Sequence, residues 1–140
     1  MFTSCLQKQK KIITLFSACG TSEQKYQLLI QLGRKLPPYP ENLKTKEHLV
    51  HGCQSMMYFH GFFQEGVMQF SAFSEALISA GLASLLIEVY GNEPPVTILK
   101  CPPNFLEALG MLSLLSPGRS HGLRNLFLRM QQLALRITPL

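Results

Sequence analysis

Residues 54–73 of the chain, QSMMYFHGFFQEGVMQFSAF, decide the fold. The run from Gln54 to Phe63 is rich in aromatic residues, and the run from Val67 to Phe73 has a second extended pattern. A short link that contains glycine, Glu65-Gly66, joins them. Two such runs with such a link predict an antiparallel β-hairpin.

Helical periodicity precedes this hairpin. The first predicted helix has an apolar face, which we expect to be buried, formed by Leu6, Ile13 and Phe16. A second helix opens with the capping-box residues Thr21 and Gln24. It ends before a run of prolines that begins at Pro37, because proline lacks the amide donor that a helix needs.

The helices after the hairpin have clear starts. Ser74 is a favourable N-cap residue, and Glu75 suits the positive end of a helix. Two short helical segments follow, and the last helix begins with Ser116 as N-cap and Pro117 at its first position. This order predicts an α+β fold, in which helices cover a small antiparallel sheet within one domain, residues 1–140.

Composition excludes several classes of protein. Hydrophobic residues make up 46% of the 140 residues and charged residues 15%, so the chain is not disordered. Its longest apolar stretch, Ala76 to Ile87, is shorter than the roughly 18 residues of a membrane span. The net charge of +5 is scattered, so we expect no nucleic-acid binding. Four cysteines without a disulfide-scaffold pattern indicate a reducing compartment, which we take to be the cytoplasm.

Cys53 is the candidate reactive residue. It lies in the stretch VHGCQS, residues 50–55, where a long, polar, proline-rich loop over residues 37–52 meets the first strand. Gly52 gives the backbone freedom to place the thiol, and His51 could support a thiolate. The alternative is that Cys53 packs as a small apolar residue, as many free cysteines do.

Two other kinds of chemistry remain open at this segment. His48, His51 and Cys53 could supply three ligands to a zinc ion, although solvated loop histidines explain this pattern more simply. A cysteine hydrolase would instead use Cys53 as its nucleophile and His51 as its base.

Arg119 stands out in the first turn of the last helix, where the helix dipole disfavours a cation. It therefore needs a partner. One interpretation is an ion pair with a carboxylate, Glu75 or Glu107. The other is that Arg119 and the free helix amides create a positive potential near a thiolate.

Four segments follow one another in a characteristic order along the chain. They read YQLLIQLGRKLPP, VHGCQS, SEALISAGL and LSPGRSHGL, at residues 26–38, 50–55, 74–82 and 115–123. In these motifs the chain resembles the SufE family of cysteine desulfuration proteins, over about residues 5–135. The resemblance implies a fold shared with IscU-type iron–sulfur scaffolds, which agrees with the predicted α+β class.

The resemblance also implies a function. Cys53 would accept persulfide sulfur from a PLP-dependent cysteine desulfurase of the SufS type, stimulate it, and pass the sulfur to an iron–sulfur scaffold of the SufBCD type. PLP belongs to the partner, so we expect no cofactor or metal here and no independent turnover; a homodimer remains open. Beside Cys53, the expected supporting residues are His51, Gly52, Gln54, Ser55, Glu75 and Arg119. The runner-up function is an IscU-like scaffold, although such scaffolds use three cysteines at another spacing.

The sequence departs from the family pattern at four places. Phe73-Ser74-Glu75 replaces a common D-S-D, and Tyr58 replaces a tryptophan. Gly118 stands where serine is common, and Ala80 where lysine is common. These changes leave the thiol chemistry intact but affect the expected docking to the desulfurase.

Overall fold

The computed structural model describes residues 1–51 and 55–137. Helices and one antiparallel pair of strands make up this part of the chain, which confirms the predicted α+β class. No helix within it is long and apolar enough to cross a membrane. The elements are, in order, α1 (Thr3–Ser17), α2 (Ser22–Arg34), two 3-10 turns (Glu41–Leu43 and Lys46–His48), β1 (Met57–Gln64), β2 (Val67–Ser74), α3 (Leu77–Tyr90), α4 (Pro95–Lys100), α5 (Phe105–Ala108), α6 (Met111–Leu114) and α7 (Pro117–Ile137).

The predicted hairpin is confirmed, and its paired part begins at Met57. The register runs from Gln64 opposite Val67 at the turn to Met57 opposite Ser74 at the open end. Glu65 and Gly66 both have positive φ angles, 51° and 85°. Two left-handed residues in a two-residue link make the turn whose twist matches that of the strands.

Helix α3 occupies the centre of the fold, and most of its residues are buried. It crosses α2 where Gly81 meets Leu29 and Gly33. A Cβ atom added at Gly81 would lie 2.2 Å from the carbonyl oxygen of Leu29, and one at Gly33 would lie 2.6 Å from the Gly81 nitrogen. The two backbones therefore approach this closely only because both positions lack side chains.

The buried face of α1 agrees with the predicted one at Phe16, and Ile13 packs partly buried against the core, but Leu6 does not face it. Leu6 is 52% exposed, and the residues that face the core are Cys5, Gln9, Ile12 and Phe16. Gln9 can be buried because its amide is satisfied: Nε2 donates to the Pro102 carbonyl (3.1 Å) and Oε1 accepts from the Phe105 amide (3.2 Å). A hydrophobic pattern cannot show this pairing, since both partners lie at the other end of the chain.

The start of α3 also differs from prediction. Ser74 is the last residue of β2 and α3 begins at Leu77, so Ser74 is not its N-cap. The Ser74 hydroxyl instead donates to the Met56 carbonyl (3.0 Å) and accepts from the Ala76 amide (3.2 Å). It thereby fixes the turn between strand and helix to the residue that precedes β1.

The described part of the predicted loop, residues 37–51, packs against the hairpin. Tyr39 stacks on Tyr58, with ring centroids 6.1 Å apart. The Lys44 ammonium lies 3.9 Å from the centroid of the Phe73 ring, a cation–π contact. The aromatic residues of the hairpin thus anchor a segment that the sequence presents as polar and irregular.

Candidate functional site

The segment that contains Cys53 leaves the sheet and returns to it at one place. The Val50 amide donates to the Met57 carbonyl (2.9 Å), and Leu49 forms an antiparallel bridge with Tyr58. The two ends of the connection over residues 51–56 are therefore held together. Three of the predicted site residues lie outside the described residues, and their roles stay predictions: Gly52, Cys53 and Gln54.

Helix α7 begins beside the start of β1. It starts at Pro117, and the Ser116 side chain accepts a hydrogen bond from the Arg119 amide (3.3 Å), which confirms the predicted start. A cavity of about 10 Å³, room for one water molecule at most, lies where α7 meets α3 and β1. Its lining includes Met57, Ser79, Arg119 and Gly122.

Arg119 has no acidic partner within residues 1–51 and 55–137. Among the described residues, the ion pairs are Lys8–Glu93 and Lys44–Glu41. Arg119 is thus paired with neither Glu75 nor Glu107, so the predicted ion pair is absent. Its Nε atom is buried and has no hydrogen-bond partner within the described part of the chain. The other interpretation, that Arg119 and the free helix amides create a positive potential near a thiolate, stays a prediction.

The three remaining predicted site residues that the structure describes are His51, Ser55 and Glu75. His51 is exposed, and its carbonyl accepts a hydrogen bond from Asn125 Nδ2 on α7 (2.9 Å). Ser55 is half-buried in the bend before β1. Glu75 is exposed in the turn between β2 and α3. The structure therefore brings His51, Ser55 and Glu75 to the open end of the hairpin.

The two buried cysteines among the described residues, Cys5 and Cys101, are poor candidates for a nucleophile. Cys5 and Cys101 are buried, and Gln9 Nε2 lies 3.6 Å and 3.7 Å from their sulfur atoms. Burial raises the pKa of the Cys5 thiol to about 12, so it is protonated at neutral pH, whereas the thiolate is the nucleophilic form. Cys19 is half-buried just beyond the end of α1.

Two histidines meet at the entry to the Cys53 segment. The rings of His48 and His60 are edge-on, with centroids 5.3 Å apart, and Thr45 Oγ1 lies 2.9 Å from His48 Nδ1. Burial, and then the charge of His48, lowers the pKa of His60. Over residues 1–51 and 55–137, no three His, Cys or acidic side chains group as metal ligands would. The predicted zinc set includes Cys53, so that hypothesis gains no support from these ranges.

The sequence pattern does not predict the contacts of two polar residues of α7. Asn125 binds the His51 carbonyl, and the Arg129 guanidinium donates to the carbonyls of Leu49 (3.3 Å) and Glu47. The only signal in the sequence is that Asn125 and Arg129 are one helical turn apart beside the apolar stripe of α7. Their partners lie 74 to 82 residues earlier in the chain.

Comparison with known proteins gives related chains of several lengths. SufE-like protein 1, chloroplastic/mitochondrial, of Arabidopsis thaliana is 34% identical over 131 residues, 93% of this chain and 35% of that protein. An uncharacterised SufE-like protein of Synechocystis is 32% identical over 125 residues, 89% of this chain and 79% of that protein. The cysteine desulfuration protein SufE of Plasmodium vivax is 33% identical over 129 residues, 89% of this chain and 51% of that protein. The chain thus spans only about a third to a half of two of these relatives.

The fold has a solved counterpart. The solution structure of a hypothetical protein from Thermus thermophilus superposes with a TM-score of 0.76 at 27% identity and covers 92% of this chain and 94% of that one. The family model described as SufE, Fe-S metabolism associated domain, matches residues 10–134. The predicted resemblance is confirmed: the chain belongs to the SufE family, whose function concerns sulfur in iron–sulfur metabolism.

Proposed function

We propose that this protein accepts sulfur on Cys53 from a PLP-dependent cysteine desulfurase of the SufS type and passes it to an iron–sulfur scaffold of the SufBCD type. The observation that carries the proposal is Arg119 at the start of α7, whose buried Nε atom has no hydrogen-bond partner among the described residues. Arg119 lines the same cavity as Met57, which follows Cys53 by four residues. A nearby cation favours the thiolate form of a cysteine, and Arg119 has no carboxylate to neutralise it among the described residues.

The reaction is an exchange at sulfur. The Cys53 thiolate attacks the terminal sulfur of the persulfide on the desulfurase cysteine, a new S–S bond forms at Cys53, and the old S–S bond breaks. The desulfurase cysteine leaves as a thiolate, so no external oxidant or reductant is needed. Repeating the exchange with an acceptor thiol of the scaffold returns Cys53 to its starting state. The chain acts as a stoichiometric carrier with no turnover of its own, and PLP remains in the partner.

The surface at the open end of the hairpin suits a protein partner. Met56 is 60% exposed and Leu77 is 48% exposed, and both lie beside Ser74 at the open end of the hairpin. Glu75 and His51 are exposed beside them and add a carboxylate and an imidazole to this surface. An apolar patch with a polar rim is typical of protein interfaces. We assign this surface to desulfurase docking, with Ser55 and Gln54 as supporting residues. The proposed compartment is the cytoplasm.

Stimulation of a desulfurase tests the proposal. Sulfide or alanine formation from free cysteine is measured with a SufS-type desulfurase alone and with the parent protein, Cys53→Ser or Cys19→Ser added. We expect the parent and Cys19→Ser to stimulate equally, and Cys53→Ser not to stimulate although its thermal unfolding is unchanged. Equal stimulation by Cys53→Ser would reject the proposal. Acylation of Cys53 by an ester in the absence of a desulfurase would favour a cysteine hydrolase instead. Metal that stays bound through purification would favour an IscU-like scaffold.

A further inference from the structure

The chain reaches the Cys53 segment through the 3-10 turn Lys46–His48 and the extended residue Leu49, and α7 holds both from one side. Arg129 donates from Nη1 to the Leu49 carbonyl (3.3 Å) and from Nη2 to the Glu47 carbonyl. Asn125 Nδ2 donates to the His51 carbonyl (2.9 Å). The three acceptors are therefore the carbonyls of alternate residues, 47, 49 and 51. Leu49 itself is extended, with φ −71° and ψ 135°.

The other edge of the chain at Leu49 and Val50 belongs to the sheet. The Val50 amide donates to the Met57 carbonyl, and Leu49 bridges Tyr58. Successive residues of an extended strand direct their backbone groups to opposite edges. Val50 accordingly pairs with the hairpin, while the carbonyls of Leu49 and His51 remain for α7. Side chains of α7 thus take the place of a further strand.

The two donors have firm supports. Asn125 and Arg129 are one helical turn apart, so they project from the same face of α7. Leu126 and Met130, the residues next to them, are buried in the core with 1% and 0% exposure. The planar guanidinium of Arg129 reaches two carbonyls at once, which a lysine ammonium cannot match in geometry. The helix therefore defines where the stretch over residues 47–51 lies.

We infer that Asn125 and Arg129 are positioning residues for sulfur transfer at Cys53. In the chain, Cys53 follows His51, whose carbonyl Asn125 binds, by two residues. The inference rests on the proposed function. Attack on a persulfide needs the sulfur atoms aligned, and a misplaced nucleophile loses rate steeply. When either donor is lost, fewer docked complexes have this alignment. The transfer rate constant in the complex then falls while docking affinity is kept, because the apolar docking residues keep their positions: Ser74 binds the Met56 carbonyl, and Leu77 is the first residue of α3.

The experiment is single-turnover transfer from a SufS-type desulfurase preloaded with persulfide, followed by mass spectrometry of the Cys53 peptide at rising concentrations of this protein. Asn125→Asp keeps the shape but cannot donate, and Arg129→Met removes the fork. Arg129→Lys tests partial rescue. Arg124→Met is the matched control, because Arg124 is an exposed arginine of the same helix. Thermal unfolding of each variant reports on the fold.

We expect Asn125→Asp to lower the saturating rate constant about tenfold, the equivalent of one hydrogen bond to the backbone, and Arg129→Met, which loses two such bonds, to lower it at least as much. The half-saturating concentration should change by less than about twofold. Arg129→Lys should recover part of the rate, and Arg124→Met should match the parent. If Arg129→Met does not fold, Asn125→Asp, which adds no bulk, decides the question.

Three results would overturn the inference. The variants could transfer sulfur at the parental rate, or the loss could lie in the half-saturating concentration, which would make Asn125 and Arg129 part of the docking surface. An equal loss in Arg124→Met would show an effect of charge alone. A parent that takes no sulfur from the desulfurase rejects the proposed function itself, and the inference falls with it.

Discussion

Replacing Gly81 with alanine adds one methyl group at the crossing of α2 and α3. The new Cβ would lie 2.2 Å from the Leu29 carbonyl oxygen, 2.7 Å from its carbon and 3.0 Å from its Cα. All three are backbone atoms, so no side-chain rotation relieves the contact. Ordinary contact between such atoms requires about 3.5 Å, so the helices must separate by about 1 Å.

This separation has a calculable cost. Overpacking of a tight interface costs about 1–3 kcal/mol, and rigid backbone atoms place Gly81→Ala at the upper end. The higher helix propensity of alanine returns about 1 kcal/mol. We therefore expect the free energy of unfolding to fall by about 2 kcal/mol, with a Tm about 8 °C lower.

Denaturant titration followed by circular dichroism measures the change. Gly20→Ala is the control, because the added Cβ there meets only Gln24 Oε1 at 3.6 Å and causes no clash. That variant should be as stable as the parent, or slightly more stable because alanine restricts the unfolded chain. If Gly81→Ala were as stable as Gly20→Ala, close backbone packing would not explain why glycine occupies position 81.

Three further predictions concern buried polar groups. Tyr90→Phe should lower the free energy of unfolding by about 1–2 kcal/mol in denaturant titration, because the Tyr90 hydroxyl donates to the Cys101 carbonyl (2.6 Å) in the core; an unchanged midpoint would contradict this. Burial raises the pKa of Cys5 to about 12, so the unfolded chain loses its proton first and stability should fall as the pH rises above about 9; Cys5→Ala should flatten that slope, and an equal slope would refute the assignment. Burial, then His48, lowers the pKa of His60, so the unfolded chain binds the proton first and stability should fall as the pH drops below about 6.5; a His60→Phe variant with the parental acid slope would exclude His60 as the cause.

The parts of the fold set by local chemistry could be predicted. The Glu65-Gly66 turn needs two positive φ angles, and a short link that contains glycine between two extended runs predicts such a turn. The start of α7 depends on Ser116 and Pro117, which act on their own helix. The short helix α6 was not predicted, because it depends on Gly110 taking a left-handed conformation between two helical turns.

The parts set by distant contacts could not be predicted. Gln9 occupies a buried face of α1 because groups near residues 101–105 satisfy its amide. Residues 37–51 read as an irregular loop, yet Arg129 and Asn125 of α7 bind their carbonyls. Sequence periodicity reports which face of an element is apolar, but a polar side chain shows no sign of a partner some 80 residues away.

The candidate site divides in the same way. The motif around Cys53 and the position of Arg119 followed from the sequence and its family resemblance. That Arg119 has no carboxylate partner within the described residues required the structure, since Glu75 and Glu107 were equally reasonable partners on paper.

The most direct measurement is the mass of the Cys53 peptide after the protein is mixed with a SufS-type desulfurase and free cysteine, then alkylated and digested. We predict a gain of one sulfur atom on this peptide, dependent on active desulfurase, and no gain on the peptides of Cys5, Cys19 and Cys101. Sulfur on another cysteine, or an unmodified Cys53 peptide beside an active desulfurase, would contradict this prediction.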